Sequence, residues 1–200
     1  MQAMDARGLN RGTSGNVSAR FDGGMLITPS GVPAIALTPE QVVAMPTDRA
    51  PEGGALRPSS EWRMHGGLFE ARADCQAVVH CHSRHATILA CAGRTIPPLH
   101  YMVGVSGRST SPLAPYAPFG SSELAACVAA AMDGGFACLM ANHGQIAIGR
   151  TLARALAIAE QMEEQAAIYW GTLVIGGPTL LDEDQMADIF YRFNVYGQKR

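Results

Sequence analysis

The sequence has 200 residues, of which 48% are hydrophobic and 16% are charged, and its formal net charge is −2. This length suits one well-filled domain, predicted here over residues 1–200, and argues against two. The small net charge gives no reason to expect nucleic acid or an anionic membrane as a partner. No apolar stretch approaches the roughly 20 residues of a membrane helix.

The cysteines and the N-terminal residues both indicate in which cellular compartment the protein is expected. The five cysteines are odd in number, stand in apolar or mixed runs, and include no CxxC pair. This pattern predicts reduced thiols and argues against a cysteine-based zinc site. The first ten residues lack a basic segment followed by an apolar one, so we expect no signal peptide. The sequence therefore predicts a cytoplasmic protein.

Strands and capped helices follow one another along the chain. In chain order, the predicted elements are strands at 15–21 and 25–31 joined by a turn at 22–24, a helix at 58–72, an apolar strand at 75–82, helices at 83–93 and 121–135, a strand, tight turn and strand at 137–149, and helices at 151–177 and 182–197. Residues 46–58 are predicted to form a surface loop. This mixture within one domain predicts an α/β sandwich in which helices cover a sheet.

Three histidines are candidate metal ligands. In "AVVHCHSRH", His80 and His82 lie two residues apart, so on a strand they project from the same face. His143, in "MANHGQIAIG", follows another apolar strand at a tight turn. Three imidazoles on neighbouring strands would leave an open coordination position, as in catalytic zinc sites. The alternative is that all three are ordinary polar residues at strand ends and in a turn.

Glu61 and three small-residue turns suggest an anion site. A carboxylate at a predicted helix N-terminus is often only a favourable partner of the helix dipole. However, "SSE" also offers two hydroxyls and free backbone N–H groups, which bind phosphate at a helix end. The turns "GTSGNVS" and "TPSG" have the same character. Each turn by itself is a weak signal, because such turns are common.

Taken together, these motifs resemble the class II aldolase/adducin family, specifically its ketose-1-phosphate aldolases of the L-fuculose-phosphate type. The resemblance extends from residue 12 to about residue 197. The motifs that carry it occur in the expected order and are "GTSGNVS", "MLITPSG", "PSSEWRMH", "AVVHCHSRH", "PPLHYMVG", "APYAPFG", "NHGQIAIG" and the terminal "VYG".

The resemblance implies a fold, an assembly and a set of site residues. The fold is a three-layer α/β/α sandwich around a largely antiparallel central sheet, in a homotetramer with active sites at subunit interfaces. His80, His82 and His143 bind a divalent metal, with zinc expected and manganese or cobalt as alternatives. Glu61 is a metal ligand and the catalytic base, and Tyr101 is the proton donor from a neighbouring subunit. The residues matching the phosphate site are Gly15, Asn16, Ser30, Gly31, Ser59 and Ser60, the aromatic residues near the aldehyde are Phe119 and Tyr196, and the remaining histidines, interpreted as structural or supporting, are His65, His85 and His100.

The implied reaction is reversible cleavage of a ketose 1-phosphate to dihydroxyacetone phosphate and an aldehyde through a zinc-stabilised enediolate. A Schiff-base mechanism is disfavoured, since the one lysine of the chain, Lys199, lies next to its end. The alternatives are a sugar-phosphate 4-epimerase, a decarboxylase and a methylthioribulose-1-phosphate dehydratase, which use a similar metal site. The epimerases tend to carry Asp where this chain has Glu61. An adducin-like interaction module would be expected to lack the three histidines.

Overall fold

A mixed sheet organises the computed structural model, which describes residues 1–54 and 56–196. Its seven strands are β1 (Asn16–Phe21), β2 (Gly24–Ile27), β3 (Val43–Met45), β4 (Ala77–Cys81), β5 (Leu113–Ala114), β6 (Ala137–Met140) and β7 (Gly144–Gly149). They lie in the order β3-β2-β1-β4-β7-β6-β5. Neighbouring strands are antiparallel except for β5 and β6, which are parallel.

Helices cover both faces of this sheet. They are α1 (Gln2–Ala6), α2 (Trp62–Ala71), α3 (Arg84–Cys91), α4 (Ser122–Ala131), α5 (Leu152–Val174) and α6 (Glu183–Val195). Helices α2 and α4 share a core with one face of the sheet, and α3 and α5 share a core with the other. The predicted three-layer α/β/α sandwich around a largely antiparallel sheet is therefore confirmed. Among the described residues, no helix is long and apolar enough to cross a membrane.

Strand β4 runs through the middle of the molecule and is buried along its whole length. Its side chains alternate between the two cores, because successive residues of a strand point to opposite faces. Val78 packs in the core shared with α2 and α4, whereas Val79 and Cys81 pack in the core shared with α3 and α5. By the same alternation, His80 lies on the α2 face. This is why an apolar strand delivers a histidine to the N-terminus of α2.

Most predicted elements are confirmed, with boundaries that differ by a few residues. The sequence patterns missed α1, β3 and β5. Strands of three and two residues are too short to show an alternation of apolar and polar positions. Helix α1 begins at Gln2, and its N-cap residue, Met1, makes no side-chain capping hydrogen bond. The predicted last helix ends at Val195, and its final predicted residue, Gly197, lies outside the described residues together with Lys199.

Close packing of α2 makes one helical glycine necessary. A Cβ atom at Gly66 would overlap the backbone carbonyl of Thr47, whereas a Cβ at Gly171 in α5 would meet nothing within 4 Å. We expect Gly66→Ala to lower the free energy of unfolding by about 1–3 kcal/mol through overpacking. The matched change Gly171→Ala should raise it by roughly 0.5–1 kcal/mol, because alanine restricts the unfolded chain. Urea denaturation at one protein concentration measures both, and a Gly66→Ala protein as stable as wild type would contradict this packing.

Candidate active site

The structure brings His80, His82 and His143 together at one end of the sheet. Their ring centroids are 4.9, 4.9 and 5.0 Å apart, and one nitrogen from each lies within 4.8 Å of the others. His82 directly follows β4, and His143 lies in the turn between β6 and β7. Asn142 adopts a φ of 55° in this turn, a conformation that asparagine tolerates better than most residues. The expected common face of His80 and His82 and the convergence of His143 are thus observed.

Glu61 places a buried carboxylate among these rings. It is the N-cap residue of α2 and is only 6% exposed. Its Oε2 lies 3.1 Å from His80 Nε2, and its Oε1 lies 3.1 Å from His143 Nε2. Burial alone would raise the pKa of Glu61, but the contacts with His80 and His143 outweigh this effect and hold the pKa well below its usual range. Positive charge at this cluster, from a protonated imidazole or a bound cation, therefore favours the ionised carboxylate.

The hydrogen bond behind His80 indicates what the cluster can hold. His80 Nδ1 donates to the backbone carbonyl of Gln145 over 2.8 Å, which leaves a lone pair on Nε2 in the neutral ring. That lone pair faces Glu61 Oε2 and also His82 Nε2, 3.0 Å away. Glu61 Oε1, although close to His143, has no hydrogen-bond partner among the described residues. A divalent cation satisfies such a set of converging lone pairs and a buried anion, so the three histidines fit a metal site.

A cavity of about 440 Å³ opens in front of the cluster. Glu61, His82 and His143 form part of its wall. The remaining wall includes all the residues that the resemblance assigns to phosphate binding, which are Gly15, Asn16, Ser30, Gly31, Ser59 and Ser60. These residues come from three separate turns, at the start of β1, after β2 and before α2. The fold therefore assembles one polar pocket beside the histidines from short motifs that are far apart in sequence.

Asn10 connects the first of these turns to the histidines, and the sequence analysis missed it. Its Nδ2 donates to the backbone carbonyl of Ser14, and its Oδ1 accepts a long hydrogen bond of 3.4 Å from the backbone N–H of His82. Gly15 follows with a φ of 70°, and a Cβ there would lie 2.7 Å from the carbonyl oxygen of His80. Only glycine fits this approach of the turn to β4.

Two exposed aromatic side chains and an asparagine also belong to the cavity wall. Phe119, which the resemblance assigns to the aldehyde side, lines it and is 74% exposed. Tyr116 also lines it and was missed, although it stands in the motif "APYAPFG" that carried the resemblance. Asn142 lines it from the turn that presents His143.

Tyr101 and Tyr196 lie outside the cavity that His82 and His143 line. Tyr101 begins a 3-10 helix at Tyr101–Ser106, is half exposed, and packs against His100 and Phe193, with ring centroids 4.6 and 6.4 Å away. Tyr196 directly follows α6 and is 89% exposed. Neither tyrosine is among the described residues that line the cavity.

Comparison with known proteins identifies the family. A model described as the class II aldolase and adducin N-terminal domain matches residues 1–170. The chain belongs to this family. It is 45% identical over 190 residues to a 5-methylthioribulose-1-phosphate/5-deoxyribulose-1-phosphate aldolase of Rhodospirillum rubrum, with 95% of this chain and 86% of the relative covered. It is 42% identical over 195 residues to the L-fuculose phosphate aldolase of Escherichia coli K12, with 97% and 90% covered.

The fold comparison agrees with the sequence comparison. A solved structure of L-fuculose 1-phosphate aldolase superposes with a TM-score of 0.92 at 36% identity, covering 96% of this chain and 92% of that one. The resemblance inferred from the motifs is confirmed. The protein is an enzyme of the class II aldolase type, and hence a lyase.

Metal content tests the histidine cluster. Purified protein should carry about one divalent metal per chain, since three imidazoles and a buried carboxylate form a single donor set. His82→Ala should lose most of this metal because it removes one of the three ligands. His85→Ala is the matched control, since His85 lies nearby but hydrogen-bonds to Glu163 instead. Elemental analysis of the desalted proteins provides the measurement, and an unchanged metal content in His82→Ala would exclude this site.

Proposed function

We propose that this protein is a metal-dependent aldolase that reversibly cleaves a ketose 1-phosphate to dihydroxyacetone phosphate and an aldehyde. The observation that carries the proposal is that Glu61 and two histidines of the three-histidine cluster, His82 and His143, line a cavity whose wall also includes hydroxyl- and glycine-rich turns. The relatives named above support it, since their names describe aldolases of phosphorylated ketoses.

The metal ion would be held by His80, His82 and His143, and we propose zinc, with manganese or cobalt as alternatives that a three-histidine site also accepts. When bound, a divalent ion supplies Lewis-acid stabilisation of the negative charge that develops on oxygen beside the breaking bond. In the protein itself, the hydrogen bond from His80 Nδ1 to the Gln145 carbonyl fixes the orientation of one ligand ring.

Glu61 would serve as the base on the dihydroxyacetone phosphate half. Cleavage removes the proton of the C4 hydroxyl, breaks the C3–C4 bond and then adds a proton to C3. In the reverse direction, a base must remove that proton from dihydroxyacetone phosphate. Glu61 suits this role because positive charge at the cluster favours its ionised form, and because it is nearly buried and in the cavity wall. Its second proposed role, as a metal ligand, fits Oε1, which has no hydrogen-bond partner among the residues described.

The Ser-rich turns would hold the phosphate group. Hydroxyl groups for this purpose come from Ser30, Ser59 and Ser60. Backbone N–H groups come from the start of α2, and Gly15 and Gly31 let the backbone come close to the same space. Fixing the phosphate orients the reacting carbons relative to the base and the metal ligands. The aldehyde half would then point toward Tyr116, Phe119 and Asn142, which also line the cavity.

Substrate choice is the direct test of this proposal. L-Fuculose 1-phosphate, 5-methylthioribulose 1-phosphate and 5-deoxyribulose 1-phosphate are offered to the enzyme, and release of dihydroxyacetone phosphate is followed by coupled reduction. We expect release from at least one of them, its loss on chelation, and its return with zinc. Products of epimerisation, dehydration or decarboxylation without any dihydroxyacetone phosphate would instead favour the alternative activities.

The proton donor for the aldehyde oxygen would come from another subunit of a homotetramer. The motivating observation is that Tyr101 is half exposed and lies outside the cavity of its own chain. A tyrosine hydroxyl can act as a general acid toward an oxygen on which negative charge develops. Tyr101 would thus complete the site of a neighbour, with its hydroxyl near the aldehyde oxygen, whereas Glu61 acts within its own chain.

Mixed assemblies test the shared site. Tyr101→Phe should abolish most cleavage but spare proton exchange on dihydroxyacetone phosphate, which needs only the metal site and Glu61. Glu61→Gln should lower both rates by roughly 10²–10⁴, the usual contribution of a general base. Combining the two variants should restore part of the cleavage, since some interfaces then join an intact Glu61 to an intact Tyr101. No gain after verified subunit exchange would disprove a site shared between subunits.

A further inference from the structure

A buried chain of hydrogen bonds runs behind the cavity and ends at Glu61. His65 is 0% exposed and lies one helical turn after Glu61 in α2. Its Nδ1 is 2.6 Å from Ser18 Oγ, and its Nε2 is 2.5 Å from Asn16 Oδ1. Asn16 and Ser18 are two residues apart on β1 and therefore face the same side. The periodicities of one helix and one strand thus bring these four side chains into a single row.

The amide of Asn16 sets the direction of the hydrogen bonds in this row. Its Nδ2, which can only donate, lies 3.0 Å from Glu61 Oε2. Asn16 Oδ1 then faces His65 and must accept from Nε2–H. Burial lowers the pKa of His65 to about 3, so the ring is neutral and carries a single proton. His65 Nδ1 is consequently an acceptor, and the Ser18 hydroxyl donates to it.

Asn16 also orients a hydroxyl of the Ser-rich turn. Its Nδ2 donates to Ser59 Oγ over 2.8 Å, and the same oxygen accepts from the backbone N–H of Glu61 over 3.3 Å. Because Ser59 Oγ is the acceptor in both contacts, its own hydroxyl proton is free to point into the cavity that Ser59 lines. Both amide protons of Asn16 are committed to Ser59 and Glu61. The side chain of Asn16 therefore holds two site groups in place, whereas the resemblance assigned Asn16 itself to phosphate.

We propose that His65 is a positioning residue that fixes the amide of Asn16, and thereby aims the Ser59 hydroxyl at the bound phosphate while holding the carboxylate of Glu61. The phosphate site and the base are then linked through one amide group, and a shift of the amide disturbs both. The identities of the anion and of the base rest on the proposed function, but the hydrogen-bond chain does not.

Variants at His65 separate this role from simple packing. His65→Leu removes the donor to Asn16 while filling much of the space, and His65→Gln can place an amide N–H where Nε2–H was. In the metal-loaded enzyme, we expect His65→Leu to weaken binding of inorganic phosphate and to lower kcat, each by roughly 10- to 100-fold, the usual effect of losing such a supporting hydrogen bond. His65→Gln should recover most of both. A His65→Leu protein that is less stable but keeps the wild-type kcat and phosphate affinity would overturn the proposal.

A double-mutant cycle identifies the route of the effect. If His65 acts through Asn16, then His65→Leu should change neither phosphate affinity nor kcat further once Asn16→Ala is present. Independent, multiplicative losses would show that His65 acts by another route and would overturn the proposal.

The wild-type protein offers a readout that needs neither turnover nor a folded variant. Long-range 1H–15N spectra should show His65 as a neutral ring with its proton on Nε2. A proton on Nδ1 would contradict the hydrogen-bond chain even if the enzyme proves to be an active aldolase. Conversely, the Nε2–H form in a protein that cleaves no ketose 1-phosphate would leave the chain standing and reject the proposed function.

Discussion

A buried negative charge is the constraint around which this structure is organised. An ionised carboxylate that is 6% exposed is costly unless charged or hydrogen-bonding groups surround it. Glu61 has His80 and His143 at 3.1 Å each and the amide of Asn16 at 3.0 Å. A metal ion among the histidines would add the positive charge that this environment favours. The proposed metal ligation and the anionic state of Glu61 therefore depend on the same few contacts.

The topology of the sheet explains how these groups meet. Strands β1, β4 and β7 are neighbours, although β1 and β7 are far apart in sequence. Asn16 lies directly opposite His80 across the β1–β4 pair, so their side chains are close neighbours on one face. Both reach Glu61 Oε2, which arrives from the N-terminus of α2. The cavity then lies where three turns meet, beside the ends of the strands that present His80, His82 and His143.

The sequence predicted those parts of the site that local spacing determines. The two-residue spacing of His80 and His82 on a strand and the glycine turn after His143 each have a direct geometric meaning. The roles of Asn10 and His65 could not be read in this way, because their contacts join residues that are 72 and 49 positions apart. The proposed contacts of Tyr101 are with another subunit, so neither local spacing nor the fold of one chain defines them. The short strands β3 and β5 were missed because their pairing partners, and not their own residues, define them.

Anomalous X-ray diffraction at the zinc edge, from crystals of the zinc-loaded enzyme with inorganic phosphate, tests the central claim most directly. A single strong anomalous peak should lie among His80, His82 and His143, beside Glu61, with phosphate density against Ser30, Ser59 and Ser60. A zinc peak bound elsewhere, with the three histidines holding no metal, would contradict the account of this site.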